Sequence, residues 1–150
     1  KNRKGERRMK VREIMTPNIE FVSANDTIKK AAEKMKALNV GAMPVGAPDE
    51  TLGIITDRDI VIRSTARGLD PEKHKVMEAV TENPIGADEE DDIKTLVDVM
   101  ENNQIRRVIV KNKEGNVTGI VSLGDLAIHL RKDLAGEVLE KISEPSKPDR

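Results

Sequence analysis

The chain has 150 residues, of which 37% are hydrophobic and 35% charged, and its net charge is -1. This balance gives no field to attract nucleic acid or an anionic membrane, and no apolar run approaches the ~20 residues that span a bilayer. The absence of cysteine excludes disulfides and thiolate chemistry. Phe21 is the single aromatic residue, which weighs against single-stranded nucleic-acid binding because such binding usually relies on base stacking. We therefore expect a cytoplasmic protein without membrane or nucleic-acid partners.

Residues 1–10 are mostly basic and predict a tail that either frays in solvent or touches an acidic partner. The first half then alternates between strand and helix patterns. Asp26 is the expected N-cap of a helix whose apolar residues begin at Ile28. The predicted order is a helical turn at 11–15, a strand at 19–22, a helix ending at Asn39, strands at 41–45 and 52–56, and a helix at 57–67 that buries Ile60, Val61 and Ala66 and ends at Gly68.

The second half repeats this order after a linker at 71–75. Each half alone has about 60 residues and would be only marginally stable, so we expect the two to pack through their sheets and fold together. The predicted domains are therefore 11–70 and 76–135, followed by a helix and tail at 136–150. The second half carries a helix with Ile93, Leu96, Val97 and Met100 on its apolar face, a hairpin of strands at 105–110 and 117–121, a helix at 123–133 and a helical stretch at 135–142.

One eight-residue pattern occurs in both halves, at Gly53–Ile60 and at Gly119–Leu126. It consists of glycine, two β-branched residues, a hydroxyl residue, two variable residues, aspartate and an aliphatic residue. The segments at 10–16 and 75–81 also match each other. A repeat of roughly 65 residues in two copies indicates a duplicated pair with a pseudo-two-fold axis and two related clefts.

Two interpretations of the repeated pattern follow from its chemistry. Thr56 and Ser122 stand where a strand gives way to a helix, and free N–H groups at such a place favour a phosphate. The ionised carboxylates of Asp59 and Asp125 only accept hydrogen bonds, which suits the two hydroxyls of a ribose. The same spacing is also typical of a capping box, in which the hydroxyl and the acid satisfy the helix's own backbone. The glycines allow close backbone approach at a cleft.

These residues resemble a pair of cystathionine-β-synthase (CBS) domains, the Bateman module, over about residues 11–135. The resemblance implies an α+β fold, a tandem pair of β-α-β-β-α halves packed through their sheets with pseudo-two-fold symmetry. It also implies AMP, ADP, ATP or S-adenosylmethionine bound in clefts between the halves, with no required cofactor. A homodimer that regulates an unidentified protein is the expected assembly.

The resemblance further implies which residues hold the nucleotide. The motif aspartates would hold the ribose, and Thr56 and Ser122 would lie near ribose and phosphate. Arg106 or Arg107, where the first half has Gly41 and Ala42, would reach phosphate. Arg58, which Gly124 replaces in the second motif, is a further cation, and a solvated side chain is the alternative for each arginine. The adenine candidates are Thr16, Pro17, Ile19, Ala42 and Pro44 in the first half and Thr81, Pro84 and Ile105 in the second, where Ile109 replaces the proline seen at Pro44.

The residues give no catalytic arrangement. Neither His74 nor His129 stands beside a serine in a nucleophile pattern, and neither zinc spacing nor a P-loop occurs. The acidic run 88–92 is typical of a solvated, helix-capping turn and lacks the spacing of a calcium loop. We therefore predict a protein that is not an enzyme. A ligand-free dimerisation scaffold and a regulatory fragment of a larger enzyme or transporter stay open as alternatives.

Overall fold

The computed structural model describes residues 9–82, 84–130 and 138–144, and the chain divides into two compact units. The Thr56 unit comprises Ile19–Pro84, and the Ser122 unit combines Lys1–Asn18 with Ile85–Arg150. In chain order, the strands are β1 (Thr16–Pro17), β2 (Ala42–Ala47), β3 (Glu50–Thr56), β4 (Thr81–Glu82), β5 (Gly86–Asp88), β6 (Arg107–Lys111) and β7 (Val117–Ser122), and the α-helices are α1 (Ile28–Leu38), α2 (Asp57–Asp59), α3 (Ile93–Asn103) and α4 (Leu123–His129).

The Thr56 unit has a three-stranded antiparallel sheet in the order β2-β3-β4. Ile28, Ala31 and Met35 are the buried residues of α1 and pack in one cluster with Val45 and Ile55 of the sheet. Thr27 is the N-cap of α1, because its Oγ1 accepts from the N–H of Lys30 at 3.1 Å. Asp26 stands one residue too early and accepts from the N–H of Ser23 at 3.1 Å, so its prediction as the cap is wrong. The helix ends at Asn39, as predicted, in the left-handed conformation with φ 54°.

The helix that follows the first motif changes its winding after one turn. Beyond α2 the chain forms a π-helix over Ile60–Thr65, closed by a 2.8 Å bond from the N–H of Ala66 to the carbonyl of Val61. This wider turn alters the spacing of its inward positions. Ser64 is buried, whereas Val61 is 58% exposed and Ala66 is also exposed. The predicted burial of Val61 and Ala66 is therefore wrong, while Ile60 packs against the core as expected.

The Ser122 unit has a four-stranded sheet in the order β1-β7-β6-β5, in which only the β5–β6 pair is parallel. Its core confirms the predicted apolar face of α3, whose residues Ile93, Leu96, Val97 and Met100 are all buried. The predicted hairpin is also confirmed, as β6 and β7. Residues 138–142 are helical within the predicted stretch 135–142. Residues 1–8 of the predicted tail at 1–10 lie outside the described residues, as do the end of the helix predicted at 123–133 and residues 145–150.

Mixed helices and strands in two matching halves confirm the predicted α+β class. The strand predicted at 19–22 is reduced to one bridge between Val22 and Val45, whereas its counterpart in the second half forms β5. No helix in the described residues is long and apolar enough to cross a membrane.

Each compact unit contains the segment that forms the N-terminal end of the other sequence repeat. Val11 packs in the Ser122 unit and donates its N–H to the carbonyl of Asp91 at 2.8 Å. Val76 packs in the Thr56 unit and donates its N–H to the carbonyl of Asp26 at 2.9 Å. The leading segments also add the edge strands β1 and β4 to the two sheets. We call these segments, 9–18 and 75–82, the exchanged segments.

The motif glycines make room for the exchanged segments. Pro17 stands opposite Gly119, and Glu82 stands opposite Gly53. A Cβ at Gly53 would lie 2.5 Å from the carbonyl oxygen of Thr81, and one at Gly119 would lie 2.8 Å from that of Thr16. Close backbone approach is therefore the reason for glycine here, as the sequence suggests, and the approaching backbone belongs to the chain itself.

Candidate functional site

Both motifs form complete capping boxes. Thr56 Oγ1 accepts from the N–H of Asp59 at 3.0 Å, and the N–H of Thr56 donates to Asp59 Oδ2 at 3.0 Å. In the second motif, Ser122 Oγ accepts from the N–H of Asp125 at 3.2 Å, and the N–H of Ser122 donates to Asp125 Oδ2 at 2.8 Å. The capping box that the residue spacing indicated is thus present in both motifs.

Capping occupies only one oxygen of each carboxylate. Within the described residues, Oδ1 of Asp59 and Oδ1 of Asp125 accept no hydrogen bond. Both aspartates are partly buried. The hydrogen bond that Oδ2 accepts in the cap also fixes the position of Oδ1. Because a carboxylate has about four acceptor positions, the cap leaves an oriented acceptor for an external hydroxyl. Helix capping and binding of a diol are therefore compatible at the same residue.

The neighbouring strand places a different residue beside the hydroxyl residue of each motif. Arg107 stands directly opposite Ser122, and Ala42 stands directly opposite Thr56. Residues opposite each other in an antiparallel pair project from the same face of the sheet. The guanidinium of Arg107 therefore extends from the face that also presents the Ser122 hydroxyl. Arg106 lies just before β6.

The backbone around the two motifs is also matched. The carbonyl of Gly41 accepts from the N–H of Asp57 at 2.9 Å, and the carbonyl of Arg106 accepts from the N–H of Leu123 at 2.8 Å. Each bond ties the first helical residue to the residue that precedes the neighbouring strand. The two motifs therefore share one hydrogen-bonding scheme and differ in side chains.

The exchanged segments regroup the adenine candidates. Thr16 and Pro17 lie on β1 beside Ile120 and Gly119 of the second motif's strand, and Thr81 lies beside Ile54 of the first. The sequence half in which a candidate occurs therefore does not decide the unit to which it belongs. In the structure, Ile19, Ala42, Pro44, Thr81 and Pro84 belong to the Thr56 unit, and Thr16, Pro17 and Ile105 belong to the Ser122 unit.

The profile of the CBS domain matches residues 11–64 and 76–132. This chain belongs to the CBS-domain family. The "Uncharacterized protein YlbB" of Bacillus subtilis is 40% identical to it over 139 residues, which cover 90% of this chain and 92% of that protein. The expected family and its tandem organisation are thus confirmed.

Two solved structures also resemble this CBS-domain pair. Hypoxic response protein 1 of Mycobacterium tuberculosis is 35% identical over 135 residues, 89% of this chain and 94% of that protein. A crystal structure of Hypoxic Response Protein I, with two coordinated zinc ions, gives a TM-score of 0.71 over 82% of this chain and 100% of that one, at 36% identity. PAE2072 from Pyrobaculum aerophilum, complexed with AMP, gives 0.73 over 88% of this chain and 99% of that one; at 23% identity it shows the fold alone.

Sequence reasoning missed Arg63 in the first CBS repeat. Its Nη1 donates to the carbonyl oxygen of Val80 at 2.8 Å, which ties the π-helix to the exchanged segment just before Thr81. His129 holds the equivalent position in the second repeat, and its side chain makes no hydrogen bond within the described residues. The sequence signal that could have revealed Arg63 is its spacing. It follows Asp59 by four residues, which places both side chains on the same side of a helix.

Two carboxylates away from the motifs have shifted titration. A hydrogen bond with His74 lowers the pKa of Glu78, and one from Lys10 lowers the pKa of Glu90. Lys10 and Arg12 of the exchanged segment both pair with Glu90, at 2.6 and 2.9 Å. Among the residues that the structure describes, no group of three or more histidines and carboxylates could hold a metal ion.

Proposed function

We propose that this CBS-domain pair is a regulatory module that binds an adenosine nucleotide, acts as a cytoplasmic homodimer and catalyses no reaction. The observation that carries the proposal is the duplicated capping box, which orients one unused carboxylate oxygen in each unit. The AMP complex of PAE2072, which has the same fold, supports it. The free Oδ1 atoms of Asp59 and Asp125 would each accept from a ribose hydroxyl.

The remaining contacts follow from what surrounds each motif. Thr56 and Ser122 would lie near ribose and phosphate, and the guanidinium of Arg107 offers phosphate paired donors and a permanent charge. Arg106 and Arg58 are exposed and stand next to the same motifs. The adenine would rest on the small and aliphatic groups of each unit: Ile19, Ala42, Pro44, Thr81 and Pro84 in one, and Thr16, Pro17 and Ile105 in the other.

Dimerisation is supported by apolar residues on the helices that follow the motifs. Ile62 is 45% exposed and its counterpart Ile128 is 78% exposed. Val61, next to Ile62, is 58% exposed. Apolar positions that recur at equivalent places suit burial against a second copy. A ligand would then regulate an unidentified partner by its difference in affinity for two shapes of the dimer.

The complete capping boxes favour one other function, a dimerisation scaffold that binds no ligand. In a scaffold the hydroxyl and the aspartate only close the helix, and the unused oxygens face solvent. The scaffold would keep its dimer and its stability whether or not a nucleotide is present.

Thermal unfolding and calorimetry with AMP, ATP and S-adenosylmethionine separate the two functions. A ligand at one hundred times its dissociation constant stabilises a protein by about 2.7 kcal/mol. We expect AMP to raise the melting temperature and Asp125→Asn to weaken that response. The asparagine amide has one oxygen instead of two, so when that oxygen forms the cap, an NH2 donor replaces the acceptor that would face the ribose. Asp49→Asn, in the exposed turn between β2 and β3, is the matched control. If none of the three ligands at millimolar concentration shifts the melting temperature, the nucleotide-binding function is contradicted and the ligand-free scaffold is favoured.

A further inference from the structure

The two motif ends carry opposite charge. At the Thr56 end, Asp57, Arg58 and Asp59 contribute two acids and one base, and the strand residue across from Thr56 is Ala42. At the Ser122 end, Leu123 and Gly124 take the places of Asp57 and Arg58. The charges there come from one acid, Asp125, and from two bases on the neighbouring strand and its approach, Arg106 and Arg107.

Contacts within the protein leave these charges available. Within the described residues, no carboxylate pairs with the guanidinium of Arg58, Arg106 or Arg107. All three arginines are exposed, as is Asp57. Asp57 Oδ1 accepts from the N–H of Arg58 at 2.8 Å, which holds this second carboxylate at the first motif. The charges of the motif residues and their strand neighbours therefore sum to a positive value at Ser122 and to a negative value at Thr56.

We propose that the two ends select different classes of adenosine compound. The Ser122 end takes a compound with an anionic 5′ group, such as AMP, because Arg107 projects beside the hydroxyl that would lie near the phosphate. The Thr56 end takes a compound whose 5′ group has no negative charge, such as 5′-methylthioadenosine, because Asp57 repels phosphate and Ala42 supplies no cation. The ribose would be bound alike at both, by the unused aspartate oxygen. This inference rests on the proposed function, since it assumes that both ends bind adenosine compounds.

Calorimetry on the full chain with AMP and with 5′-methylthioadenosine tests the selection. Asp125→Asn should weaken AMP binding by about tenfold, roughly the loss of one charge-assisted hydrogen bond, and leave 5′-methylthioadenosine unaffected. Asp59→Asn should do the reverse. Each variant keeps a side-chain oxygen for the cap, and its melting temperature verifies that it is folded.

Two further variants test the role of charge without touching the caps. Arg107→Ala should weaken AMP binding by about tenfold, whereas Lys113→Ala, in the exposed hairpin turn, should not. Ala42→Arg, which copies Arg107 into the Thr56 unit, should raise the number of AMP molecules bound per chain from one to two. Loss of both compounds through the same aspartate, or equal binding of AMP at both ends of the wild-type chain, would overturn the selection and leave nucleotide binding intact. No binding of either compound to the wild-type chain would instead contradict the proposed function.

Discussion

The Thr56 and Ser122 units have the same hydrogen bonds at their motifs and different charges around them. In both, the hydroxyl and aspartate cap a helix, and glycine admits an exchanged segment. Beside those shared features stand Ala42 in one unit and Arg107 in the other. The comparison separates residues that build the fold, which agree between the units, from the neighbouring residues on which the proposed ligand preference rests, which differ.

The largest effect is expected from placing a side chain at the motif glycines. In Gly53→Ala the new Cβ would meet the Thr81 carbonyl and Val80 Cγ2 at 2.5 and 2.7 Å, and such overpacking costs about 3 kcal/mol. Gly119→Ala should cost less, about 2 kcal/mol, because its nearest neighbour is the flexible Met15 side chain. Urea denaturation measures both changes in the free energy of unfolding.

Gly124→Ala is the control for these substitutions. Its Cβ would meet only Ser122 Oγ, at an ordinary 3.6 Å, and alanine favours a helix over glycine by about 1 kcal/mol. We therefore expect Gly124→Ala to stabilise the protein slightly. A loss at Gly124 as large as that at Gly53 would contradict the role given to the exchanged segments.

Removal of the cap hydroxyls should have the next largest effect and should be equal in the two units. Thr56→Ala and Ser122→Ala each remove the acceptor for the N–H of an aspartate, a loss of about 1 kcal/mol. Chemical denaturation of both variants checks this equality. A clear inequality would show that the same hydrogen-bond geometry contributes different free energies in the two units. Thr65→Ala, at an exposed position of the π-helix, controls for the loss of a hydroxyl outside a cap.

Arg63 tests a contact that only the Thr56 unit has. Arg63→Met keeps the aliphatic part of the side chain and removes the hydrogen bond to the Val80 carbonyl, so it should destabilise by about 0.5–1 kcal/mol. His129→Met, at the equivalent position, should be close to neutral. Hydrogen exchange at Thr81 and Glu82 should speed up in the Arg63 variant, and unchanged exchange there would mean that the bond does not hold the exchanged segment.

The smallest effect concerns the ion pairs of the exchanged segment in the Ser122 unit. The pKa of Glu90 is lowered, chiefly by its hydrogen bond from Lys10. A lowered pKa means that the ionised pair contributes stability above the ordinary carboxyl pKa, and that this contribution disappears as the pH falls through the lowered value. Glu90→Gln should therefore lower the melting temperature slightly at neutral pH, and this difference should shrink as the pH falls below the ordinary carboxyl pKa. The Thr56 unit has Asn25 at this position, so Asn25→Ala should show no such pH dependence; a difference that persists in acid would contradict the ionic explanation.

The sequence predicted elements whose signals are local. The apolar spacing of α3, the hairpin β6–β7 and the end of α1 at Asn39 each depend on a few adjacent residues. The error at Asp26 is also local, because Asp26 and Thr27 are both good N-caps and only the structure shows which begins the helix. The π-helix at Ile60–Thr65 escaped prediction because its residues would fit an ordinary helix equally well.

The exchanged segments could not be predicted from local pattern. Thr16 and Pro17 pair with residues more than one hundred positions later, and nothing in a two-residue strand specifies such a partner. The one available signal is the motif glycine, whose missing side chain marks a close backbone approach without naming what approaches. The aspartates and Arg107 were found as site candidates, but grouping the others required the strand register.

The exchanged segments have a consequence for how such a chain could have arisen. In each unit, the edge strand and one buried valine come from the segment that precedes the other repeat. A single repeat would therefore have to obtain both from a second copy of itself. Joining two repeats in one chain supplies both segments at high effective concentration. Cutting the chain between Pro71 and His74 would reverse that step: the two fragments should be poorly folded apart and should re-form both sheets when mixed.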